Sequence, residues 1–460
     1  MKKILPLYQV RKRTAMKHSQ DMTQGPIYRS IIAFAIPLFI GNIFQQLYNM
    51  VDAMVVGRFV GLQALAAVGA SASSYNLIIA IILGIASGAS VVIAQIFGSG
   101  DREHLRKAYI TTWKILLYAG LGLMVIGFFC CGPLLKLLGT PEDVFADALI
   151  YVRYMVIGIL ATCLYNGMSS FLRSVGNSLT PLIALVISSL LNVGLDILFV
   201  LAFHMGVAGV ALATVISQLV SGLYCLVYIH HKMPEMGFSL REFRMDTEVA
   251  KEMIRIALPS TFSTIVVTVS TMFIQAAVNH YGSTVVAAYT IGGKVEHIGF
   301  CLAYSIGLAA GVFCGQNIGA RNMERTRKGF RAGMVIALAY SVFVGLVMLL
   351  LAGPLTSLFS DDAEVMRIAV PLIRIEASFS PVLCVVFVFQ NFLRNVSDVR
   401  PTVVMSFAEI LSRGILPFVL SSWMGYYGIW WATPVGWTLS MIIGFVRYRS
   451  GKWKDKAMVG

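Results

Sequence analysis

Apolar runs, parted by short polar turns, follow one another from residue 28 to residue 447. They fall at roughly 28–56, 62–97, 108–131, 145–171, 178–202, 206–230, 253–280, 284–318, 329–352, 366–392, 402–423 and 427–447. Nearly all are long enough to cross a hydrocarbon core of about 30 Å, for which about 20 helical residues suffice. A bilayer offers the backbone no hydrogen-bond partners, so each run is predicted to be a helix. The ten-residue alternation of a membrane barrel does not occur. The second and eighth runs exceed one span and are expected to tilt or to protrude. The predicted fold class is therefore an all-α membrane protein of about twelve transmembrane helices.

Composition supports this reading. Of 460 residues, 57% are hydrophobic and only 13% charged, against about 25% charge in an average soluble domain. The net charge of +14 would suggest nucleic acid in a soluble chain. Here the basic residues gather in alternate connections instead. They crowd the N-terminal tail, the 2–3 loop (Arg102, Arg106, Lys107), the 6–7 loop (Lys232, Arg241, Arg244, Lys251), the 8–9 loop (Arg321, Arg325, Arg327, Lys328, Arg331) and the C-terminal tail. The opposite loops hold little beyond Arg58, Lys136 and Arg367. Cationic loops stay in the cytoplasm, so both termini are expected there, in a multi-pass protein of the cell (inner) membrane with the lipid bilayer, and no nucleic acid, as its partner. The first apolar run is too long for a cleaved leader and is expected to be retained. The seven cysteines lie in apolar stretches without metal-ligand or disulfide spacing and read as small packing residues. There is no His-Glu-x-x-His, and Gly292-Gly293-Lys294 lacks P-loop spacing. Neither an enzyme nor an ATP-driven pump is indicated, and no cofactor or metal is expected.

A shift of about 221 residues overlays the chain on itself. Gln95 meets Gln316, Glu103 meets Glu324 and Arg106-Lys107 meets Arg327-Lys328. Gly132-Pro133 meets Gly353-Pro354, and Phe171-Leu172-Arg173 meets Phe392-Leu393-Arg394. Apolar sequence matching by chance would not keep these polar residues in register. Each repeat holds six spans, an even number, so both insert in the same orientation. Two six-helix bundles are predicted, related by a pseudo-twofold along the membrane normal, with alternating access by rocking. The expected organisation is an N-terminal tail at 1–26, an N-lobe at 27–230, a cytoplasmic linker with an amphipathic surface helix at 231–252, a C-lobe at 253–448 and a C-terminal tail at 449–460. The spacings Gly84-x-x-x-Gly88, Gly307-x-x-x-Gly311 and Gly315-x-x-x-Gly319 fit close helix packing.

Ionisable groups at bilayer depth are costly and mark pathways or partners. Asp52 in span 1 and Asp196 in span 5 stand out. Tyr48 precedes the first by four positions and Asn192 precedes the second by four, which puts each pair on one helix face. If spans 1 and 5 meet, two carboxylates share a pocket that must hold a proton or a cation. Oxygen ligands of this kind suit H+ or Na+. The mate of Asp196 in the second repeat falls near Ile415 and Leu416, so the ion site is expected in the N-lobe alone. Glu296 and Glu409 are candidates for a substrate path, whereas Lys294, Arg374, Glu376 and Arg413 carry no assigned role. Pro37, mid-span and matched by Pro259, is expected to kink span 1 and to act in gating.

Pro37 with Tyr48-x-x-x-Asp52-Ala-x-x-Val-Gly, Asn192-x-x-x-Asp196 and Gly206-Val207-Ala208-Gly209-Val210-Ala211 resemble the multidrug and toxic compound extrusion (MATE) family. So do Leu172-Arg173-Ser174-Val175-Gly176 and its echo Leu393-Arg394-Asn395-Val396. The likeness spans about residues 27–450. It implies a secondary antiporter that exports small organic cations or amphipathic drugs against inward H+ or Na+, acting as a monomer. It also implies that Asn166 and Thr214 join Asp52, Asp196, Asn192 and Tyr48 at the N-lobe ion site. A lipid-linked oligosaccharide flippase shares such a duplicated architecture and is the alternative. A flippase cavity should be rich in arginine for pyrophosphate, and few such residues occur here.

Overall fold

The computed structural model describes residues 20–137, 139–237 and 245–456. Helices account for almost all of it, and no strand occurs among the described residues. In chain order they are α1 (Ile27–Val55), α2 (Leu62–Ser99), α3 (Arg102–Leu137), α4 (Glu142–Ile157), α5 (Ile159–Ser174), α6 (Leu179–Ile197), α7 (Gly206–Lys232) and α8 (Thr247–Asn279). There follow α9 (Ser283–Gly319), α10 (Met323–Leu350), the short α11 (Ala352–Ser357), α12 (Ala363–Ser378), α13 (Ser380–Asn395), α14 (Arg400–Met424) and α15 (Tyr426–Arg449). Ten of these elements are long and apolar enough to cross a membrane singly. Two bent pairs, α4 with α5 at 50° and α12 with α13 at 53°, make twelve if each pair is one span.

The bends break the fourth and tenth predicted spans. They fall at repeat mates, Gly158 and Phe379. A Cβ on Gly158 would land on the Val215 side chain, so the chain is pressed against α7 where it turns. On the other side Ser380-Pro381 opens α13, with proline in its first turn. Proline has no N–H to lose there and cannot extend the preceding helix.

Two compact units emerge, and they differ from the two sequence halves. One comprises Ile40–Thr261 with Gln20 and Asp21, the other Met22–Phe39 with Phe262–Gly460, of which residues 457–460 are not described. The first half of α1 thus belongs with the second repeat, and the first half of α8 with the first. Met22, Ile31, Phe34 and Ala35 are buried in the main core of the second unit. In the first unit, Thr112 Oγ1 contacts Met253 Sδ at 3.6 Å and the Asp246 N–H donates to Thr111 Oγ1 at 3.2 Å. These units cut across the two sequence halves at 39/40 and 261/262. Two of the crossings lie inside an unbroken apolar helix, three residues beyond a proline (Pro37 before Ile40, Pro259 before Phe262). Of the linker, residues 238–244 lie outside the described residues. The rest carries a 3-10 turn at Pro234–Met236 and the start of α8 rather than a separate surface helix.

One long helix fills each unit. The membrane window of α9 is 72% buried and that of α2 61%. Their glycines permit this. A Cβ on Gly88 would lie 2.6 Å from Ala257 N, and one on Gly307 2.9 Å from Phe387 O. Repeat symmetry reaches the surface as well, since Lys107 pairs with Glu103 at 3.0 Å and Lys328 with Glu324 at 2.6 Å.

Candidate functional site

Asp52 lies one turn before the end of α1, and Asp196 next to the last residue of α6. Immediately after each acid the helix loosens into a π-helical turn, Val56–Val60 and Leu198–Ala202. Such turns, rare and often found at functional sites, lie side by side in the first unit. Val56 and Val200 pack into one apolar cluster with Tyr151, Met155 and Val207. That cluster walls the acids on one side.

The two carboxyl groups are near enough to act on each other electrostatically. Two carboxylates so close and away from water need a proton or a cation with them. Asn192, fully buried one turn before Asp196, donates from its amide nitrogen to Asp196 Oδ2 at 2.9 Å, and its oxygen accepts from the Thr214 N–H at 3.2 Å. Tyr48 Oη and Thr214 Oγ1 are 3.3 Å apart, and Thr214 Oγ1 also donates to Val210 O at 3.1 Å. Oδ1 of Asp52 and Oδ1 of Asp196 are buried without a hydrogen-bond partner. Five of the six anticipated residues therefore converge: Tyr48 and Asp52 from α1, Asn192 and Asp196 from α6, Thr214 from α7. Asn166 does not join the hydrogen bonds of the acids. Its amide donates to Thr162 O of its own helix at 2.9 Å. Thr162 in turn meets Tyr75 Oη at 3.4 Å.

Tyr75 and Tyr151 were not anticipated. The Tyr151 phenol is within electrostatic range of both acids, Tyr48 and Tyr75. Both stand on helices other than those of Asp52 and Asp196, Tyr75 on α2 and Tyr151 on α4, so no spacing along the chain links them to the two acids.

Pro37 lies in the second unit, fifteen residues before Asp52, so the helix joining them crosses from one unit to the other. In that second unit Glu296 (α9), Glu376 (α12) and Arg413 (α14) are within electrostatic range of one another. Arg413 Nη1 donates to Ser270 Oγ at 3.4 Å. Glu409 accepts from Gln390 Nε2 at 3.3 Å and Ser440 Oγ at 3.4 Å. No close ion pair between Glu409 and Arg413, four residues apart on α14, occurs among the described residues. Lys294 stands over the Phe359 ring, and Arg374 is exposed.

Comparison with known proteins agrees with this architecture. A protein of Bacillus subtilis named "Probable multidrug resistance protein YoeA" is 29% identical over 95% of this chain and 96% of its own length. "Multidrug export protein MepA" of Staphylococcus haemolyticus is 21% identical over 94% and 96%. Among solved structures, an outward-facing multidrug resistance MATE family transporter superposes with a TM-score of 0.87, at 23% identity over 95% of this chain and 99% of that one. A transporter of the same superfamily from Pyrococcus furiosus reaches 0.87 as well, at 23% identity over 96% and 99%. The MatE family profile matches twice, over residues 37–198 and 259–419, each match opening on one of the paired prolines. With both repeats matched and more than half of its length covered, the chain belongs to the MatE family of multidrug efflux transporters.

Proposed function

We propose that this transporter exports cationic or amphipathic organic compounds in exchange for inward-moving H+ or Na+, with Asp52 and Asp196 as the exchange site. The observation that carries the reading is the convergence of the two carboxyl groups beside Asn192, with one oxygen of each buried and unpartnered. A buried pair of this kind changes its net charge whenever a proton leaves or a cation enters. The bond from Asn192, itself held by the Thr214 N–H, orients Asp196, and Tyr48 ties α1 to α7 through Thr214. Loss of the proton sets two negative charges side by side, which drives the end of α1 from α6 and biases the helix that carries Pro37. If ion and cargo favour opposite states, each weakens the other's binding by the same factor. Glu296 and Glu409 offer negative charge along the cargo path, which suits cations. The protein works as a monomer in the cell (inner) membrane with both termini in the cytoplasm. Lipid-linked oligosaccharide flipping is not favoured, because the relatives are named for multidrug resistance and export.

The test uses proteoliposomes loaded with a fluorescent organic cation, under a pH gradient or a sodium gradient imposed separately. The wild type is expected to respond to one of them. Asp52→Asn and Asp196→Asn are expected to cut that response by about tenfold or more, within the usual range of coupling energies. Gradient-driven flux untouched by both substitutions would overturn the assignment.

A further inference from the structure

A cavity of about 860 Å³ opens where α14 begins and α15 ends, and its lining divides by chemistry. One wall is apolar: Val404 on α14 with Ile442 and Val446 on α15, each about half exposed along the chain's lipid-facing surface. The other is charged. Arg400, Arg447, Lys452 and Lys456 contribute four cations against Asp398 and Asp455. Asp398 is already satisfied, since Arg447 Nε and Nη2 donate to its two oxygens at 2.6 and 3.0 Å. The remaining lining charges are three cations and one carboxylate.

The lysines are held in place. After α15 the chain makes a 3-10 turn at Lys452–Lys456 whose Trp453 is 1% exposed. Its indole stacks on Tyr448 at 5.8 Å, meets Phe392 edge-on at 5.0 Å and donates from Nε1 to Tyr448 O at 3.2 Å. An aromatic anchor thus folds a tail turn back over the helix ends and presents Lys452 and Lys456 to the cavity rim.

The internal repeat supplies a control. At the equivalent place in the first unit Asn177 replaces Asp398 and Leu179 replaces Arg400. Asn177 there makes neutral hydrogen bonds to Thr180 and Tyr228. The scaffold therefore closes without these charges, and their presence in the second repeat calls for another cause.

We infer that this cavity binds the headgroup of an anionic phospholipid, with its phosphate against Arg400, Lys452 and Lys456 and the start of its acyl chains along Val404, Ile442 and Val446. Basic pockets at the cytoplasmic ends of membrane helices suit such headgroups. Free phosphate fits poorly, because it would leave most of 860 Å³ and the whole apolar wall unused. The inference is independent of the ion-exchange reading.

Full-length protein in detergent is titrated with phosphatidylglycerol or phosphatidylcholine and examined by native mass spectrometry, with and without excess inorganic phosphate. The wild type should retain phosphatidylglycerol preferentially, and phosphate should not displace it. Each interfacial cation contributes about fivefold to anionic-lipid affinity. Arg400→Gln alone should therefore weaken retention about fivefold and Lys452→Gln with Lys456→Gln about twenty-fivefold. Lys107→Gln with Lys328→Gln, a charge-matched control far along the sequence, should leave it unchanged. Equal retention of the two lipids by the wild type, displacement by phosphate, or equal loss in the control would each overturn the site. Because the double lysine variant alters only exposed side chains, it keeps the test decisive should Arg400→Gln fail to fold.

Discussion

Asp196 depends on neighbours that cannot be removed without consequence. Asn192 is fully buried and spends both ends of its amide, one on Asp196 Oδ2 and one on the Thr214 N–H. Asn192→Leu fills the volume but takes the donor from a buried carboxyl oxygen, at about 1–3 kcal/mol. The expected outcome is a lower unfolding temperature of the purified protein together with weakened gradient coupling, and Asn192→Gln should not restore either, since the longer side chain displaces the amide. An unchanged melting curve would show that these bonds are not formed. Glu296 tests a different link. With Glu296 on the proposed cargo path, Glu296→Gln should raise the concentration of organic cation needed for half-maximal export several-fold, while the response to the driving gradient persists. Flux assays at varied cargo concentration separate the two effects.

Helices reveal which parts of this design could be foreseen. Spans were legible because a bilayer demands long apolar runs, and the acids were legible because charge at that depth is rare. Bends at Gly158 and Phe379 were not, since one is a common small residue and the other a phenylalanine ahead of Ser380-Pro381. Nor was the exchange of half-helices. The apolar character of α1 and α8 runs unbroken through residues 39–40 and 261–262, and hydropathy carries no record of which bundle a residue joins. Tyr75 and Tyr151 stayed hidden because a tyrosine in a membrane helix ordinarily reads as an interfacial anchor. Small-residue spacing, by contrast, was a sound guide. At Gly88 even a methyl group would meet Ala257 N at 2.6 Å and Ala257 Cα at 2.7 Å. Gly88→Val should cost at least the 1–3 kcal/mol typical of overpacking, seen as reduced thermal stability in detergent. Gly293→Ala, on the same criterion, meets nothing within 4 Å and should be silent.

At the scale of the whole molecule, the exchange makes each repeat incomplete. The second unit takes Met22, Ile31, Phe34 and Ala35 into its core from the first repeat's leading helix. The first unit takes Val249, Met253, Ile256 and Ala257, all 5% exposed or less, from the second repeat's leading helix. Within a membrane little hydrophobic force holds helices together, so fit and dispersion carry the association. Losing half a helix opens a groove that lipid chains fill less closely than matched side chains do, and truncating even one large core side chain costs about 2–5 kcal/mol. Cutting the chain within residues 238–244 separates the repeats in sequence but leaves each fragment holding the other's missing segment. Residues 1–240 or 241–460 expressed alone should therefore be degraded or aggregate. Expressed together they should copurify and regain gradient-driven export, because the exchanged segments reconnect the two units without the covalent link. The measurement is affinity capture of one tagged fragment followed by transport in proteoliposomes. A fragment that is stable, monodisperse and helical by itself would mean that the units are completed by their own repeats, and the passage of α1 between them could then no longer be what ties Pro37 to Asp52.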